Sequence, residues 1–496
     1  MYILAALFTV ICATIYLYYK HSFNYWRKKK LAYIEPSIPF GNLEKPWSIP
    51  LVNQCINYYN TFKKRGDKHG GVFFLTKPVY MVVDPEFVKN VMIKDFHHFT
   101  DRGLYYNEEA QPQIGNLFFI EGQRWKNLRQ KLTPTFTSGK MKMMFDTMLR
   151  CTGPLSTTIE EMAADQEVFD AKDLIARFTT DVIGSCAFGI ECDSFANPQS
   201  DFRKYGEMMF EETPVKATKN LFAFTYKNLA KKFGVLNMEK EIADFFTKVA
   251  TDTYSYRKKN NIQRSDFMQL LMEMKDNDSD RSMSALSMNE FVAQVILFFI
   301  AGFDTSSVTL SFCLFCLASN KEVQEKLREE IKFVLKKHDG QITYDSLQDM
   351  KYMDQVINET MRMYPIAPVL GRICTEDYKV PNTDVIIEKG TQVFVSPWGL
   401  HRDPEYHPDP DKFDPERFSE ENKGNILAGT FLPFGEGPRV CIGLRFAMMQ
   451  MKMCLAALLK DFEFSVSSKT KVPLELGFGF IISVKGGIWL SANKVS

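Results

Sequence analysis

The residues best placed to do chemistry lie near the end of the chain, in FGEGPRVCIG, Phe434 to Gly443. Gly435, Gly437 and Gly443 surround Cys441 with backbone that can take shapes closed to other residues and that lets a flat ligand approach. The helix-like run LRFAMMQMKMCLAALL follows. N–H groups at a helix start lower a thiol's pKa and favour the thiolate, which acts as a nucleophile or as a soft metal ligand. A cysteine nucleophile wants a paired histidine. The histidines, at positions 21, 69, 97, 98, 338, 401 and 407, show no supporting pattern. Zinc wants several ligands at short spacing, and these are missing.

A single thiolate ligand points instead to haem iron held by one axial cysteine, the donor that favours O–O cleavage. Four other stretches carry polar groups at telling spacings. SMNEFVAQVILFFIAGFDTSSVTLSFCLFCLASN opens with Ser287 and Glu290, spaced as a capping box, and would run about 45 Å as a helix. It is apolar nearly all round, so it crosses a core or lies in lipid. Gln294, Asp304, Thr305, Ser306 and Ser307 argue for the core. At its middle, AGFDT joins a glycine, an acid and a hydroxyl. Thr305 could bond back to its own helix or face a buried cavity as a proton-delivery group. In NETMRMYP, Glu359 and Arg362 share a helix face at i, i+3. Arg417 of DPERF is a candidate third member of that cluster. In GQRWKNLRQKL, Trp125 and Arg129 lie at i, i+4, where they could clasp a carboxylate or simply belong to a surface helix. The C-x-x-C pair Cys313 and Cys316 sits in an apolar helical run with no second pair and reads as buried structural thiols. HRDP at His401 echoes a kinase catalytic loop, but Pro408 stands where that motif wants Asn.

The elements that must position these groups follow from the rest of the chain. Its 496 residues are 45% hydrophobic, enough for a large core. Lys and Arg number 61 against 60 Asp and Glu, and no basic stripe interleaved with aromatics occurs, so nucleic-acid binding has no support. The 42 Phe and 24 Met suit an adaptable interior open to apolar ligands. Ten scattered cysteines are no disulfide scaffold and fit a reducing compartment. Residues 1–19 carry no charged side chain, and roughly 27 Å of such helix is enough to cross hydrocarbon. Lys20, Arg27, Lys28, Lys29 and Lys30 follow the apolar run. That order predicts an uncleaved signal anchor with the remaining chain in the cytosol, the alternative being an atypical cleaved signal. Residues 20–50 form a basic, proline-rich and semi-rigid neck, with Pro36, Pro39, Pro46 and Pro50. Residues 51–496 form the body. Helical periodicity dominates from about 80 to 365, and β-like runs occur at GVFFLTKPVYMVV, VIIEKGTQVFVSP and IISVKGGIWLSA. The predicted fold is mainly α with a small β portion built from distant segments.

These motifs carry a resemblance. Phe434, Gly437, Arg439, Cys441 and Gly443, with Gly435 as an additional glycine, match F-x-x-G-x-R-x-C-x-G and resemble the haem-binding loop of cytochrome P450 enzymes. AGFDTS resembles that family's oxygen-activating helix, ETMR its E-x-x-R motif, PERF its meander and WKNLR its W-x-x-x-R. Order and spacing match from about residue 30 to the end. The resemblance implies a cytochrome P450 fold with one N-terminal transmembrane helix and a bound haem b. Cys441 would be the axial thiolate, with Phe434 shielding the sulfur. Arg439, Trp125 and Arg129 would bind the haem propionates, as would Arg102 of FTDRG and Arg372 of LGRIC. Thr305 and Asp304 would deliver protons during oxygen activation, with Ala301 and Gly302 leaving room for oxygen. Glu359, Arg362 and Arg417 would be structural. Tyr105, Tyr106, Phe118, Phe119, Phe299, Val369 and Phe478 would line the substrate pocket.

FNYWRKKK, PSIPFGNL and FLPFGEGPRVCIGLRFAMMQMK look most similar to microsomal enzymes of the insect detoxification type. The expected activity is insertion of one atom of O2 into lipophilic small molecules, whether xenobiotics or endogenous lipids, steroids or hormones. Electrons would come from NADPH through NADPH–cytochrome P450 reductase, with cytochrome b5 as a further partner. The expected location is the endoplasmic reticulum membrane, with the body on the cytosolic side. Lys126, Lys140, Lys142, Arg445 and Lys452 could dock an acidic reductase. Two rivals stand beside this reading: a reductase-independent haem-thiolate isomerase or dehydratase, and a membrane-tethered protein that binds lipophilic ligands.

Overall fold

In the computed structural model the leading apolar run is one helix, Tyr2–Phe23, with none of its residues buried. It is long and apolar enough to cross a membrane. The structure describes residues 2–495 apart from Glu212, residues 277–285 and Phe480; Met1, the first residue of the expected anchor, lies outside it. No proline or glycine interrupts the chain before Pro36, and helix resumes at Tyr25–Lys28. The neck is packed onto the body. Trp26 is buried and its indole N–H donates to the Val72 carbonyl at 3.1 Å. Tyr25 Oη donates to Glu388 at 2.8 Å, and Lys29 pairs with the same carboxylate.

Among the described residues, nine short strands make up the β portion: β1 His69–Phe74, β2 Lys77–Val82, β3 Val168–Asp170, β4 Leu370–Ile373, β5 Tyr378–Lys379, β6 Ile386–Ile387, β7 Gln392–Val395, β8 Phe462–Val466 and β9 Trp489–Lys494. The largest sheet has the order β1-β2-β7-β4. Its hairpin β1–β2 is antiparallel, β2 runs parallel to β7, and β7 antiparallel to β4, where Arg372 faces Val393. A second sheet is ordered β3-β9-β8, and β5 pairs with β6. The β-like runs of the sequence account for β1, β2, β6, β7 and β9. Of the others, β3 pairs with a strand far along the chain, whereas β5 pairs with β6 just after it.

Helices make up most of the remaining chain and contribute most of the main core. The central helix, Met288–Ser319, starts on the expected capping box: Glu290 N–H donates to Ser287 Oγ at 3.2 Å, and Ser287 N–H to Glu290 at 3.0 Å. It is buried along most of its length, so it is a core helix. Cys313 and Cys316 are buried within it; burial pushes the Cys313 thiol up to about 12 and Cys316 upward as well, as suits structural thiols. Gly122–Leu132 carries Trp125 and Arg129, Lys351–Met363 carries Glu359 and Arg362, and Leu444–Leu459 follows the cysteine loop.

Candidate active site

The cysteine loop is closed by its own backbone. Gly435 N–H donates to Leu432 O at 3.1 Å, Val440 N–H to Gly437 O at 2.9 Å, and Cys441 N–H to Phe434 O at 3.0 Å. Gly437 has φ +72°, and a Cβ there would lie 1.9 Å from the Met92 carbonyl oxygen, so only glycine fits. Gly443, expected to need the same freedom, has φ −88° and simply caps the following helix. The Cys441 side chain is accessible although protein encloses it, so it faces an internal cavity. Its thiol is pushed up by burial, against the pull of the Gly443 N–H and of Arg129 and Arg102. The expected lowering is thus outweighed by desolvation. Burial of this kind disfavours a free thiolate, and a bound metal cation would favour it.

Arg102, Arg129, Arg372 and Arg439 converge beside it. Burial, reinforced by repulsion among these guanidinium groups, lowers Arg439 to about 8, Arg372 to about 9 and Arg102 to about 10. Arg439 Nε donates to Thr100 O at 2.9 Å, and Nη2 to Ile120 O at 3.2 Å and Asp101 Oδ1 at 3.3 Å. Its guanidinium lies 3.8 Å from the Trp125 ring centre. Arg102 donates to Phe118 O at 3.1 Å. Arg439 Nη1 and Arg372 Nε are buried with no acceptor among the described residues. Crowded cations with spare N–H donors, and with one carboxylate in ion-pair reach among the described residues, form a site for added carboxylates.

On the central helix, Ala301 is exposed and Thr305 half-buried within a buried stretch. Thr305 and Phe434 line one small cavity of about 20 Å³, with Ile366 and Ala447, which brings this helix against the cysteine loop. Thr305 Oγ1 donates to the Ala301 carbonyl at 2.5 Å, the back-bonded form, so its lone pairs remain free to accept. Asp304 does not share that direction, since neighbouring helical residues point about 100° apart. It is buried and pairs with Lys172 at 3.0 Å; burial raises its carboxyl, with Lys172 opposing. Gly302, expected to leave room for oxygen, does other work: a Cβ there would sit 2.5 Å from the Ile183 side chain, so it lets helix Ala171–Ile183 pack close. Leu297 is half-buried one helical turn before Ala301, on the same helix face as Ala301 and Thr305.

Behind the loop, Glu359 and Arg362 are fully buried and paired at 2.7 and 2.8 Å, with Arg417 Nε 3.4 Å from the same carboxylate. Arg362 also donates to His401 O at 2.9 Å. His401, set aside in the sequence as part of an unrelated loop motif, extends this cluster: its Nε2 accepts Leu432 N–H at 2.7 Å, two residues before Phe434. Burial, then His407, holds the imidazole down to about 3, so Nε2 stays an acceptor.

A family profile described as Cytochrome P450 matches residues 40–490. Cytochrome P450 6a2 of Drosophila melanogaster is 39% identical, covering 100% of both chains. Probable cytochrome P450 6a20 of Drosophila melanogaster is 42% identical over 97% of this chain and 98% of its own. Cytochrome P450 6A1 of Musca domestica is 41% identical over 94% and 93%. The chain belongs to the cytochrome P450 family. It is accordingly a monooxygenase whose cofactor is haem held by a cysteine thiolate, with NADPH through a reductase as the standard electron source. The residues of this P450 fit that group: one enclosed thiol faces a cavity, and the arginines beside it have donors to spare for two carboxylates.

The expected pocket residues of this P450 separate. Tyr106, Phe118, Phe119, Val369 and Phe478 are half-buried. Phe118 lies under the Arg102 guanidinium at 4.4 Å and touches Phe119 edge-on. Phe299 is a correction. It has no exposed surface and is enclosed by Phe188, Phe202, Phe246 and Phe303, which makes it core. Tyr105 is also corrected: it is buried with Ala223 and Ala230, and its hydroxyl donates to Val235 O at 2.6 Å. Lys452 cannot dock a partner, because it is buried and bonded to Asp354 at 2.9 Å; Lys126, Lys142 and Arg445 are exposed.

Proposed function

We propose that Cys441 supplies the axial thiolate, and that the chain oxidises lipophilic small molecules with electrons from NADPH–cytochrome P450 reductase. The observation that carries this reading is the convergence of an enclosed Cys441 with the arginine cradle. Once bound, haem would supply the activation of O2 and the insertion of one oxygen atom into substrate. Arg439, Arg372, Arg102 and Arg129 hold its carboxylates, and Trp125 supports Arg439 from its ring face. Phe434 keeps water from the sulfur. Ala301 leaves room above, and Thr305 Oγ1 accepts a hydrogen bond from a group in the cavity. Asp304, paired with a half-exposed Lys172, holds a proton between the core and solvent. Glu359, Arg362 and Arg417 fix the loop. The Tyr2–Phe23 helix anchors the enzyme in the endoplasmic reticulum membrane with the body in the cytosol, where cytochrome b5 is a second donor. Aromatic walls at Phe118 and Phe119 favour apolar substrates, whether xenobiotics or endogenous lipids, steroids or hormones.

The test is reconstitution of the full chain with reductase, NADPH and 18O2 against a panel of lipophilic compounds. One labelled oxygen atom per product molecule, dependent on reductase, is the expected result. Conversion without reductase would favour the isomerase or dehydratase reading, and binding without conversion the ligand-binding one. Thr305→Ala is expected to keep NADPH consumption but release peroxide in place of product, with coupling down about tenfold for one lost hydrogen bond to a reacting group. Unchanged coupling would remove Thr305 from the reaction.

A further inference from the structure

Asp101 was singled out by no motif, yet the segment around it bonds to Arg439 and to the elements that carry Arg129 and Arg372. Its carboxylate Oδ1 accepts the N–H of Gly122 at 2.7 Å, the first residue of the helix that carries Trp125 and Arg129. The same oxygen takes Arg439 Nη2 at 3.3 Å. Its carbonyl accepts Ile373 N–H at 2.8 Å, which fixes β4 next to Arg372. The residue before it holds Arg439 Nε through the Thr100 carbonyl. The residue after it is Arg102, whose Nη2 lies 3.4 Å from the Arg439 carbonyl and whose own carbonyl is held by Gln392 Nε2 at 2.9 Å. Asp101 is buried, and among the described residues its carboxylate is the one in ion-pair reach of a cradle arginine. The charged groups that face it are Arg439, Glu121 and Lys227, with Arg102 beside Arg439.

We propose that Asp101 is the positioning residue of the cofactor cradle and the fixed negative charge that moderates it. Two effects follow, and this inference rests on the haem-thiolate reading above. As an acceptor, Asp101 caps the Trp125–Arg129 helix and holds Arg439 in one rotamer, so the donors are arranged before the cofactor arrives. As a charge, it offsets part of the positive field of the arginines. Reduction of the cofactor adds an electron to that field, so removing the carboxylate makes reduction easier.

The variants Asp101→Asn and Asp101→Ala separate the two effects, because Asn keeps the acceptor oxygen and loses the charge. Haemin titration of apo-protein is expected to give affinity within about threefold of the unmutated chain for Asp101→Asn, and a loss of about tenfold or more for Asp101→Ala. The ferric/ferrous midpoint potential is expected to move positive in Asp101→Asn and negative in Arg439→Gln. The double variant, with its net charge restored, is expected to return towards the unmutated value. If Asp101→Asn alone does not fold, the positive step from Arg439→Gln to the double variant carries the same test. An unmoved potential in Asp101→Asn, or undiminished haemin affinity in Asp101→Ala, would overturn the proposal. Absence of the red-shifted carbon monoxide band in the unmutated protein would overturn the haem-thiolate reading and this inference together.

Discussion

Cys441→Ala is expected to remove the red-shifted carbon monoxide band of the reduced protein and to abolish turnover. The thiolate is the donor on which both depend, and the residue's structural duties are slight. Its backbone N–H, not its sulfur, closes the loop on Phe434 O, and that bond survives in alanine. Helix content by circular dichroism should therefore be unchanged, while a reduced-minus-oxidised spectrum under carbon monoxide shows at most a band at shorter wavelength. A red-shifted band that persisted in the variant would assign the ligand to another thiol.

The second large effect is on stability. Glu359→Gln is expected to cost about 3–5 kcal/mol, because it removes one charge from a buried cluster and leaves Arg362 and Arg417 without their counter-ion. Glu359 accepts from Arg362 at 2.7 and 2.8 Å and from the Asp414 N–H at 2.9 Å, and both Glu359 and Arg362 have no exposed surface. An apolar double variant is not expected to restore stability fully. Arg362 also donates to the carbonyls of His401, Pro410 and Lys412, and these would lose their donor. Chemical denaturation monitored by circular dichroism checks both statements, and a loss under about 1 kcal/mol would make the cluster ordinary surface-grade pairing.

What the sequence revealed was local. Glu359 and Arg362 lie one turn apart, Ser287 and Glu290 cap one helix, and the cysteine loop carries its glycines in a short run. Each interaction is set within a few residues, so spacing alone exposes it. The missed partners are distant in sequence: Asp101 meets Arg439 across 338 positions, and His401 reaches Leu432 across 31. Nothing local marks such a pair. Phe299 failed for a different reason. A helix apolar on every side gives no hint of which face meets a cavity and which meets its neighbours, and here Phe299 faces Phe246 while Ala301 is the open position. Lys452 was misread because its Asp354 partner lies on another helix. Strand β4, which carries Arg372, has only four residues and no alternation to detect.

The packed neck has a mechanical consequence. Phe23, the last residue of the anchor helix, stacks edge-on against Phe73 of β1 at 5.2 Å, and Tyr18 Oη lies 3.4 Å from Thr76 in the β1–β2 turn. Three residues on, Trp26 fills the space that Gly71 leaves by lacking a side chain. Helix and body therefore turn as one lever. A bilayer whose thickness changes the tilt of the helix would roll the whole catalytic body relative to the lipid surface, and with it whichever mouth its substrates use.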